Sequence, residues 1–188
     1  MKKVEIIGFK RANLGKLETQ QLRDEAQVPC VLYGGKEQLH FSLPMFMFRD
    51  IVYTPSTYIY DLQVGKSKFE CVLKDVQYHP VNETILHADF FELNPEKEVC
   101  VNIPLVMEGS SVGAQKGGKL VQTIQKLKVK ALPKNLPDFV KVDVTPLDLG
   151  KVSRVRDIKT DNYQILNPAE LPVAKVLIPR GLKGNDKK

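Results

Sequence analysis

The chain of 188 residues carries 28 Lys and Arg against 22 Asp and Glu, a formal net charge of +6. Its hydrophobic share of 43% is typical of globular proteins and excludes a chain that is disordered throughout. No apolar run approaches the roughly 18 residues that a membrane-spanning helix needs, so we predict no membrane partner. Residues 1–30 lack the apolar stretch of a secretion signal, and we therefore expect a cytoplasmic protein.

The charge is divided unevenly along the chain. Residues 1–93 hold 11 Lys and Arg against 12 Asp and Glu, whereas residues 94–188 hold 17 against 10. Within the first half, residues 1–16 carry five cationic side chains and one acidic one, Glu5. A site for a polyanion in the first half would therefore be a local basic patch.

Short apolar runs rich in Val, Ile, Tyr and Phe, bounded by Gly, Pro, Asn or Asp, predict strands in the first half of the chain. We place these strands near residues 2–9, 29–33, 38–42, 58–64, 68–77 and 84–92. Helix-forming residues and apolar spacing predict two short helices, at 17–26 and 44–52. Six strands with two short helices predict a six-stranded β-barrel over residues 1–93.

A second domain is predicted after the polar, proline-containing segment Leu93–Lys97. Frequent prolines and the lack of a long helical period predict an all-β domain over residues 94–180, so the fold class is mainly β. Residues 181–188 form a polar, basic stretch that we predict to be a flexible tail. The strands of the second domain are expected near 98–106, 120–132, 139–144, 152–157 and 173–178.

The cysteines Cys30, Cys71 and Cys100 are odd in number and far apart. An odd count does not fit a disulfide framework, and the spacing does not fit a zinc ribbon. We predict three reduced thiols buried in strands.

A glycine-rich stretch, Gly113–Leu120, nearly matches a phosphate-binding loop. Leu120 replaces the Ser or Thr that would hold magnesium, and neither a strong strand nor a long helix flanks the stretch. We therefore interpret it as a β-loop, and we predict no nucleotide or other cofactor.

Polar residues near the end of the first half form a candidate recognition surface. His87 and Asp89 have the same parity on a predicted strand and so face one side of the sheet, while His79 lies in the preceding turn. Metal binding needs three or four converging ligands, and we predict no metal here. An acid–base or ligand site built from His79, His87 and Asp89 remains an alternative.

The N-terminal part combines cations with glycines. Lys10, Arg11, Lys16 and Arg23 lie on a predicted loop and helix, and the segment Tyr33–Lys36 follows an apolar strand with two glycines. Cations suit phosphates, and planar polar side chains suit base edges and 2′-hydroxyls, so this mixture fits RNA. A tight hairpin with solvated charges is the alternative interpretation.

The order and spacing of motifs along nearly the whole chain resemble a known family. These motifs are Arg11–Lys16, Leu22–Arg23, Val28–Lys36, Asp75–Pro80, His87–Phe90, Asn102–Leu105, Gly113–Leu120, Leu136–Pro137, Val142–Val144, and Leu147 with Gly150. They are similar to those of the bacterial large-subunit ribosomal protein numbered twenty-five, in its long form, the general stress protein CTC.

The resemblance implies a non-catalytic constituent of the large ribosomal subunit. Its N-terminal barrel would bind 5S ribosomal RNA at an irregular helix with a widened minor groove, and its C-terminal domain would contact other ribosomal RNA or ribosomal proteins. Tyr78, Gln20 and Gln21 depart from the family, which often has basic residues there. The positions that match the RNA-facing motifs are Lys10, Arg11, Lys16, Arg23, Tyr33, Gly34, Gly35, Lys36, Gln77, His79, His87 and Asp89.

Two other functions stay open on the sequence. One is a small β-barrel enzyme or ligand binder that uses the His79, His87 and Asp89 cluster together with Cys30. The other is a stress-linked accessory that binds 5S RNA only off the ribosome. The family resemblance favours the ribosomal protein, which has no small-molecule substrate.

Overall fold

The computed structural model of the chain describes residues 1–35, 37–54, 56–160 and 162–179. The predicted site residue Lys36 and the predicted tail 181–188 lie outside these residues. The chain forms two compact units. The first, here the barrel unit, comprises Met1–Val101 and Leu132–Asp138, and the second unit comprises the remainder, Asn102–Ala131 and Phe139–Lys188.

Six strands of the barrel unit close into a barrel in the order β1-β3-β2-β6-β5-β4. They are β1 Lys3–Lys10, β2 Gln27–Tyr33, β3 Leu39–Pro44, β4 Ile59–Val64, β5 Ser67–Tyr78 and β6 Ile85–Glu92. The pairs β1–β4 and β2–β6 are parallel, and the other pairs are antiparallel. The six-stranded barrel predicted from sequence is confirmed.

The barrel interior is packed with large apolar side chains from alternating strand positions. Phe41, Phe90 and Leu62 are fully buried, and the rings of Phe41 and Phe90 lie 5.7 Å apart between centroids. Close packing leaves no room for a side chain at Gly8, where an added Cβ would come within 2.7 Å of the Phe41 ring. The interior is therefore a filled core, and the outer face of the barrel is left to carry function.

Both predicted helices are present, and they are attached to the barrel differently. Helix α1 spans Lys16–Asp24 and buries none of its residues. Helix α2 spans Phe48–Val52, follows a 3-10 turn at Met45–Met47, and buries Phe48 and Ile51 in the barrel core. Helix α1 must therefore be held in place by polar contacts, whereas α2 is held by apolar burial.

The described residues of the second unit form two small sheets. A four-stranded sheet has the order β10-β7-β9-β12, and a three-stranded sheet has the order β11-β13-β8. The strands are β7 Val99–Glu108, β8 Lys119–Gln122, β9 Lys126–Ala131, β10 Val140–Asp143, β11 Val152–Arg154, β12 Gln164–Ile165 and β13 Pro172–Leu177. One short helix, α3 Val112–Gln115, was not predicted. The mainly β class of the chain is confirmed.

The segment 120–132, predicted as one strand, is divided between the two sheets as β8 and β9. The side-chain amide of Gln122 donates hydrogen bonds to the carbonyl oxygens of Leu105 (3.1 Å) and Ile124 (3.0 Å) at the break. The backbone N–H of Thr123 donates to the carbonyl of Val173. These long-range bonds satisfy backbone groups that a continuous strand would have paired locally. No helix among the described residues is long and apolar enough to cross a membrane.

Candidate nucleic-acid interface

Strand pairing brings the predicted polar residues together on the outer face of the barrel. Gln77 of β5 lies opposite His87 of β6, and Asp75 lies opposite Asp89 two positions along. Tyr33 of β2 pairs with Phe91, the next outward position of β6. We call the surface formed by Tyr33, Asp75, Gln77, His87 and Asp89 the polar face. It occupies three neighbouring strands, so the β-sheet holds these side chains at fixed separations.

The core of the polar face is a close pair of polar side chains, His87 and Asp89. His87 Nδ1 lies 2.7 Å from Asp89 Oδ1, and the two side chains are 28% and 30% exposed. The imidazole and the carboxylate are therefore in contact, and both remain partly accessible to a ligand. The predicted placement of both residues on one side of the strand is confirmed.

Tyr33 is held beside this pair by an aromatic contact. Its ring packs edge-on against Phe91, with centroids 5.6 Å apart and an interplanar angle of 85°. Partial burial raises the pKa of the Tyr33 hydroxyl, and the carboxylates of Asp89 and Asp75 raise it further. Tyr33 therefore stays protonated and presents a hydroxyl donor next to two acceptors.

The glycines after β2 have a structural explanation. Gly34 has a φ of +101°, and a Cβ added there would lie 2.7 Å from the Phe91 ring. A Cβ at Gly35 would collide with the carboxylate of Glu92. Glycine at position 34 is therefore required by the turn and by packing against Phe91, whereas the clash at Gly35 involves only the end of the flexible Glu92 side chain.

His79 lies in the turn between β5 and β6, apart from the pair. Its Nδ1 accepts hydrogen bonds from the backbone N–H groups of Val81 and Asn82, both at 3.2 Å. The backbone N–H of His79 donates to the carbonyl of Thr84 at 2.8 Å. The ring therefore closes the turn, and only its Nε2 is left to meet a ligand.

The two predicted arginines attach helix α1 to the barrel. Arg23 donates from Nε and Nη2 to the carbonyl oxygen of Leu86, at 3.2 and 3.1 Å. Arg11 donates from Nη2 to the hydroxyl of Thr19 at 3.0 Å. Because Leu86 immediately precedes His87 on β6, the Arg23 contact places the C-terminal end of α1 beside the polar face.

Lys10 and Lys16 differ from the arginines because both are exposed. Lys10 ends β1, and Lys16 begins α1. Their ammonium groups can therefore approach a phosphate without breaking a contact that holds the helix. Gln20 and Gln21 are also exposed on α1, so that surface of the helix presents amides next to the lysine.

Two residues that the sequence interpretation did not assign also face outward near the pair. Asp75 belongs to the polar face, and His40 of β3 lies opposite Val31 of β2, which in turn pairs with Asp89. Asp75 has the same parity as Gln77, a signal available in the sequence. His40 could not be assigned to this surface from the sequence, because its position follows from the pairing of β3 with β2, which only the structure shows.

The thiols do not join this surface. Cys30 and Cys71 are fully buried, as predicted, whereas Cys100 is partly exposed. Burial raises the pKa of Cys71 to about 12 and raises that of Cys30 as well. A protonated, inaccessible Cys30 is not a nucleophile for a neighbouring histidine. Among the described residues, no group of three or more His, Cys, Asp or Glu could hold a metal ion.

The glycine-rich loop of the second unit also has a packing explanation. A Cβ at Gly113 would lie 2.6 Å from the backbone carbon of Asp148, and one at Gly118 would lie 2.6 Å from the Gly113 carbonyl oxygen. The Lys116 ammonium pairs with the Asp148 carboxylate at 2.9 Å. The loop therefore packs against the Asp148 segment of the same unit, and Gly113 and Gly118 lie where backbone segments approach too closely for a side chain.

Comparisons with known proteins account for both units. The model described as the Ribosomal L25p family matches residues 6–90, and the model described as Ribosomal protein TL5, C-terminal domain, matches residues 98–180. Proteins named large ribosomal subunit protein bL25 from Cytophaga hutchinsonii and Amoebophilus asiaticus are 53% and 49% identical over 183 residues. These alignments cover 97% of this chain and 95% and 93% of the relatives.

A third protein of that name, from Phocaeicola vulgatus, is 39% identical over 191 residues, covering 98% of this chain and 96% of the relative. The chain belongs to the bL25 family of ribosomal proteins, and the family predicted from its motifs is confirmed.

Proposed function

We propose that this chain is a non-catalytic constituent of the large ribosomal subunit in the cytoplasm and that its barrel unit binds 5S ribosomal RNA through the polar face. The names of its relatives support the ribosomal role. The single observation that carries the RNA site is the His87–Asp89 pair, which lies beside Gln77 and Tyr33 on one rigid sheet face. The predicted limits of 1–93 for the RNA-binding domain and 94–180 for the second domain remain part of this proposal.

The polar face offers several hydrogen-bonding groups of different kinds. The carboxylate of Asp89 can accept from a base amine or a ribose hydroxyl, and the imidazole of His87 offers a further hydrogen-bonding group beside it. Gln77 both donates and accepts, and Tyr33 donates. A surface of this composition reads base edges and 2′-hydroxyls in a wide, shallow groove.

Phosphate attraction comes from a different set of side chains. Asp75 and Asp89 lie opposite each other and repel phosphates, so the polar face is suited to the groove and not to the sugar-phosphate backbone. The exposed ammonium groups of Lys10 and Lys16 lie at the ends of β1 and α1. We infer that these lysines contact the backbone at the side of the groove and set the position of the barrel on it.

The proposal is tested by measuring the binding of the full chain to 5S RNA and to an unrelated RNA hairpin of equal length. We expect clear preference for 5S RNA. The double substitution Lys10→Gln and Lys16→Gln should weaken binding to both and reduce the salt slope by about 1.8, since each lost phosphate contact contributes roughly 0.9. The matched control is Lys66→Gln with Lys68→Gln, which removes two exposed lysines from the β4–β5 hairpin.

Equal affinity for the two RNAs would refute the hypothesis that the chain recognises 5S RNA specifically. An equal loss in the control would show that bulk charge alone is responsible. Sucrose-gradient sedimentation of cell extracts distinguishes a ribosomal constituent from a stress-linked accessory. The constituent is expected in the large-subunit and ribosome fractions, whereas the accessory is expected with free 5S RNA.

A further inference from the structure

The strand register places one residue from each of four neighbouring strands in a line across the outer face of the barrel. Asp75 of β5 lies opposite Asp89 of β6, and Asp89 lies opposite Val31 of β2. Val31 pairs with His40 of β3, and the backbone N–H of Arg11, directly after β1, donates to the carbonyl of His40 at 3.1 Å. His40 therefore lies between the Arg11 segment and the polar face.

His40 is the accessible polar side chain of β3 on this face. The next outward residue of the strand, Ser42, is 3% exposed, and its hydroxyl donates to the side-chain oxygen of Gln27 at 2.7 Å. His40 is half-buried, and its neighbours Leu39 and Phe41 pack in the barrel core. Within the part of the chain that the structure describes, the His40 imidazole forms no hydrogen bond or ion pair, so both ring nitrogens are left for a ligand.

A ligand that lies on the His87–Asp89 pair also reaches His40. Adjacent strands are about 4.8 Å apart, so the backbone of His40 lies about 10 Å from that of Asp89, two strands away. Val31, between them, is half-buried and carries no polar group in its side chain. Because the minor groove of an RNA helix is wide and shallow and displays ribose hydroxyls beside base edges, a groove seated on the pair extends over Val31 to His40.

We propose that His40 is a further specificity-determining residue of the RNA interface, an inference that rests on the 5S RNA function proposed above. Its imidazole forms a hydrogen bond to a ribose hydroxyl or a base edge in the same groove as the His87–Asp89 pair. Each ring nitrogen is a single donor or acceptor with a fixed direction, which suits these groups. His40 thereby extends the RNA-reading surface from three strands to four, and the surface becomes continuous with the Arg11 segment.

The test compares full-chain variants in their binding to 5S RNA and to the unrelated hairpin of equal length. His40→Leu removes both ring nitrogens and is expected to weaken 5S binding by about 2- to 10-fold, the effect of one lost hydrogen bond, with little change in hairpin binding or in the salt slope. His40→Gln keeps a planar hydrogen-bonding group and should restore most of the loss. The double variant His40→Leu with Asp89→Ala should show the product of the two single effects, because the two residues are about 10 Å apart.

The matched control is Gln63→Leu. Gln63 is half-buried and faces outward on β4, which lies two strands from β6 on the side away from β3. This variant should bind both RNAs like the parent chain, and an equal loss of 5S binding would overturn the proposal by assigning the effect to any outward polar residue.

Other outcomes separate the role of His40 from the proposed function. Unchanged 5S binding of His40→Leu, in a parent chain that prefers 5S RNA, would overturn the role of His40 alone. So would a reduced salt slope in both His40 variants, which would indicate a phosphate contact, or a double variant no weaker than Asp89→Ala. Equal affinity of the parent chain for the two RNAs would instead refute the proposed function, and this inference with it.

Discussion

The Asp89 carboxylate lies 2.7 Å from Nδ1 of His87, and it also lies opposite a second carboxylate, Asp75. Like charges in opposite strand positions destabilise a sheet, so this arrangement has a cost that a purely structural role does not require. A carboxylate kept in this position is consistent with a ligand that donates hydrogen bonds, as base amines and ribose hydroxyls do.

The substitution Asp89→Ala tests this role directly. We expect the preference of the full chain for 5S RNA over an unrelated hairpin to fall, with little change in the salt slope, because the carboxylate makes no phosphate contact. Filter binding at several salt concentrations measures both quantities. Asp50→Ala, which removes an exposed carboxylate from α2, is the control, and a strong change in the slope for Asp89→Ala would show that Asp89 acts through bulk charge.

The buried thiol of Cys71 predicts a loss of stability at alkaline pH. Its pKa is raised to about 12 by burial, whereas an unfolded thiol ionises near about 8.5. Above that lower value the unfolded chain releases a proton that the native chain keeps, so the free energy of unfolding falls as pH rises. The contribution is at most about 1.4 kcal/mol per pH unit and ends near the native pKa.

Urea unfolding at successive pH values between about 8 and 10 measures this effect. The fall in unfolding free energy should be smaller in Cys71→Ala than in the parent chain. Val72→Ala removes a neighbouring fully buried side chain and should keep the parent's pH dependence although its stability is lower. If the unfolding free energy depends on pH equally in the parent chain, Cys71→Ala and Val72→Ala, then groups other than Cys71 cause its fall at alkaline pH.

At the scale of the element, helix α1 depends on polar contacts. It buries no residue, and Leu17 on its surface is 78% exposed. Because the guanidinium of Arg23 makes two hydrogen bonds to the Leu86 carbonyl, Arg23→Ala should lower the free energy of unfolding by about 1 to 2 kcal/mol. It should also speed hydrogen exchange in α1 more than in the barrel strands.

Lys16→Ala, on the same helix, is the matched control for Arg23→Ala. Lys16 is exposed, so its substitution should alter stability by less than about 0.5 kcal/mol. Urea unfolding and amide exchange followed by mass spectrometry compare the two variants. Equal exchange in α1 of both variants would mean that Arg23 does not anchor the helix.

The glycine-rich loop gives the other prediction at this scale. Gly113→Ala forces a methyl group against the Asp148 backbone, which should cost about 1 to 3 kcal/mol of stability. Gly15→Ala introduces a methyl group with nothing within 4 Å at the start of α1, and it should cost less than about 1 kcal/mol. Thermal unfolding distinguishes them, and equal midpoints for both variants would contradict the packing explanation.

Comparison of the predicted and observed strands shows which elements can be located from local sequence patterns. Each barrel strand was predicted within two residues of its observed ends, because alternating burial leaves a period-two pattern in the sequence. The 120–132 segment was predicted as one strand because β8 and β9 share that pattern. The break depends on hydrogen bonds from Gln122 to Leu105 and from Thr123 to Val173, partners that lie far away or in another sheet.

At the scale of the whole molecule, the excess positive charge lies in the second unit, whereas the candidate RNA-binding site lies on the barrel unit. The second unit has a formal charge of +8 and the barrel unit −2, although the polar face lies on the barrel. We therefore expect the second unit to supply most of the long-range attraction to any RNA, in addition to the contacts of Lys10 and Lys16, and the polar face of the barrel to supply discrimination. Ionic attraction is weakened by salt, whereas contacts to base edges release few counterions.

A salt titration of the full chain tests this division. Between about 50 and 200 mM salt, affinity for both 5S RNA and an unrelated hairpin should fall steeply, while the ratio of the two affinities changes far less. Filter binding over that range measures both. A ratio that collapses together with the affinities would show that preference for 5S RNA is ionic in origin.

The sequence by itself determined the strand content, the barrel, the second β domain, the family, and the shared face of His87 and Asp89. All of these follow from local periodicity or from motif order, which nearby residues specify. The tertiary structure alone decided that Arg23 holds a helix to β6, that Gly34 is required by packing against Phe91, and that Gln77 and Tyr33 lie beside the pair. Each of these depends on residues distant in the chain, because strand order and register determine which side chains meet across a sheet.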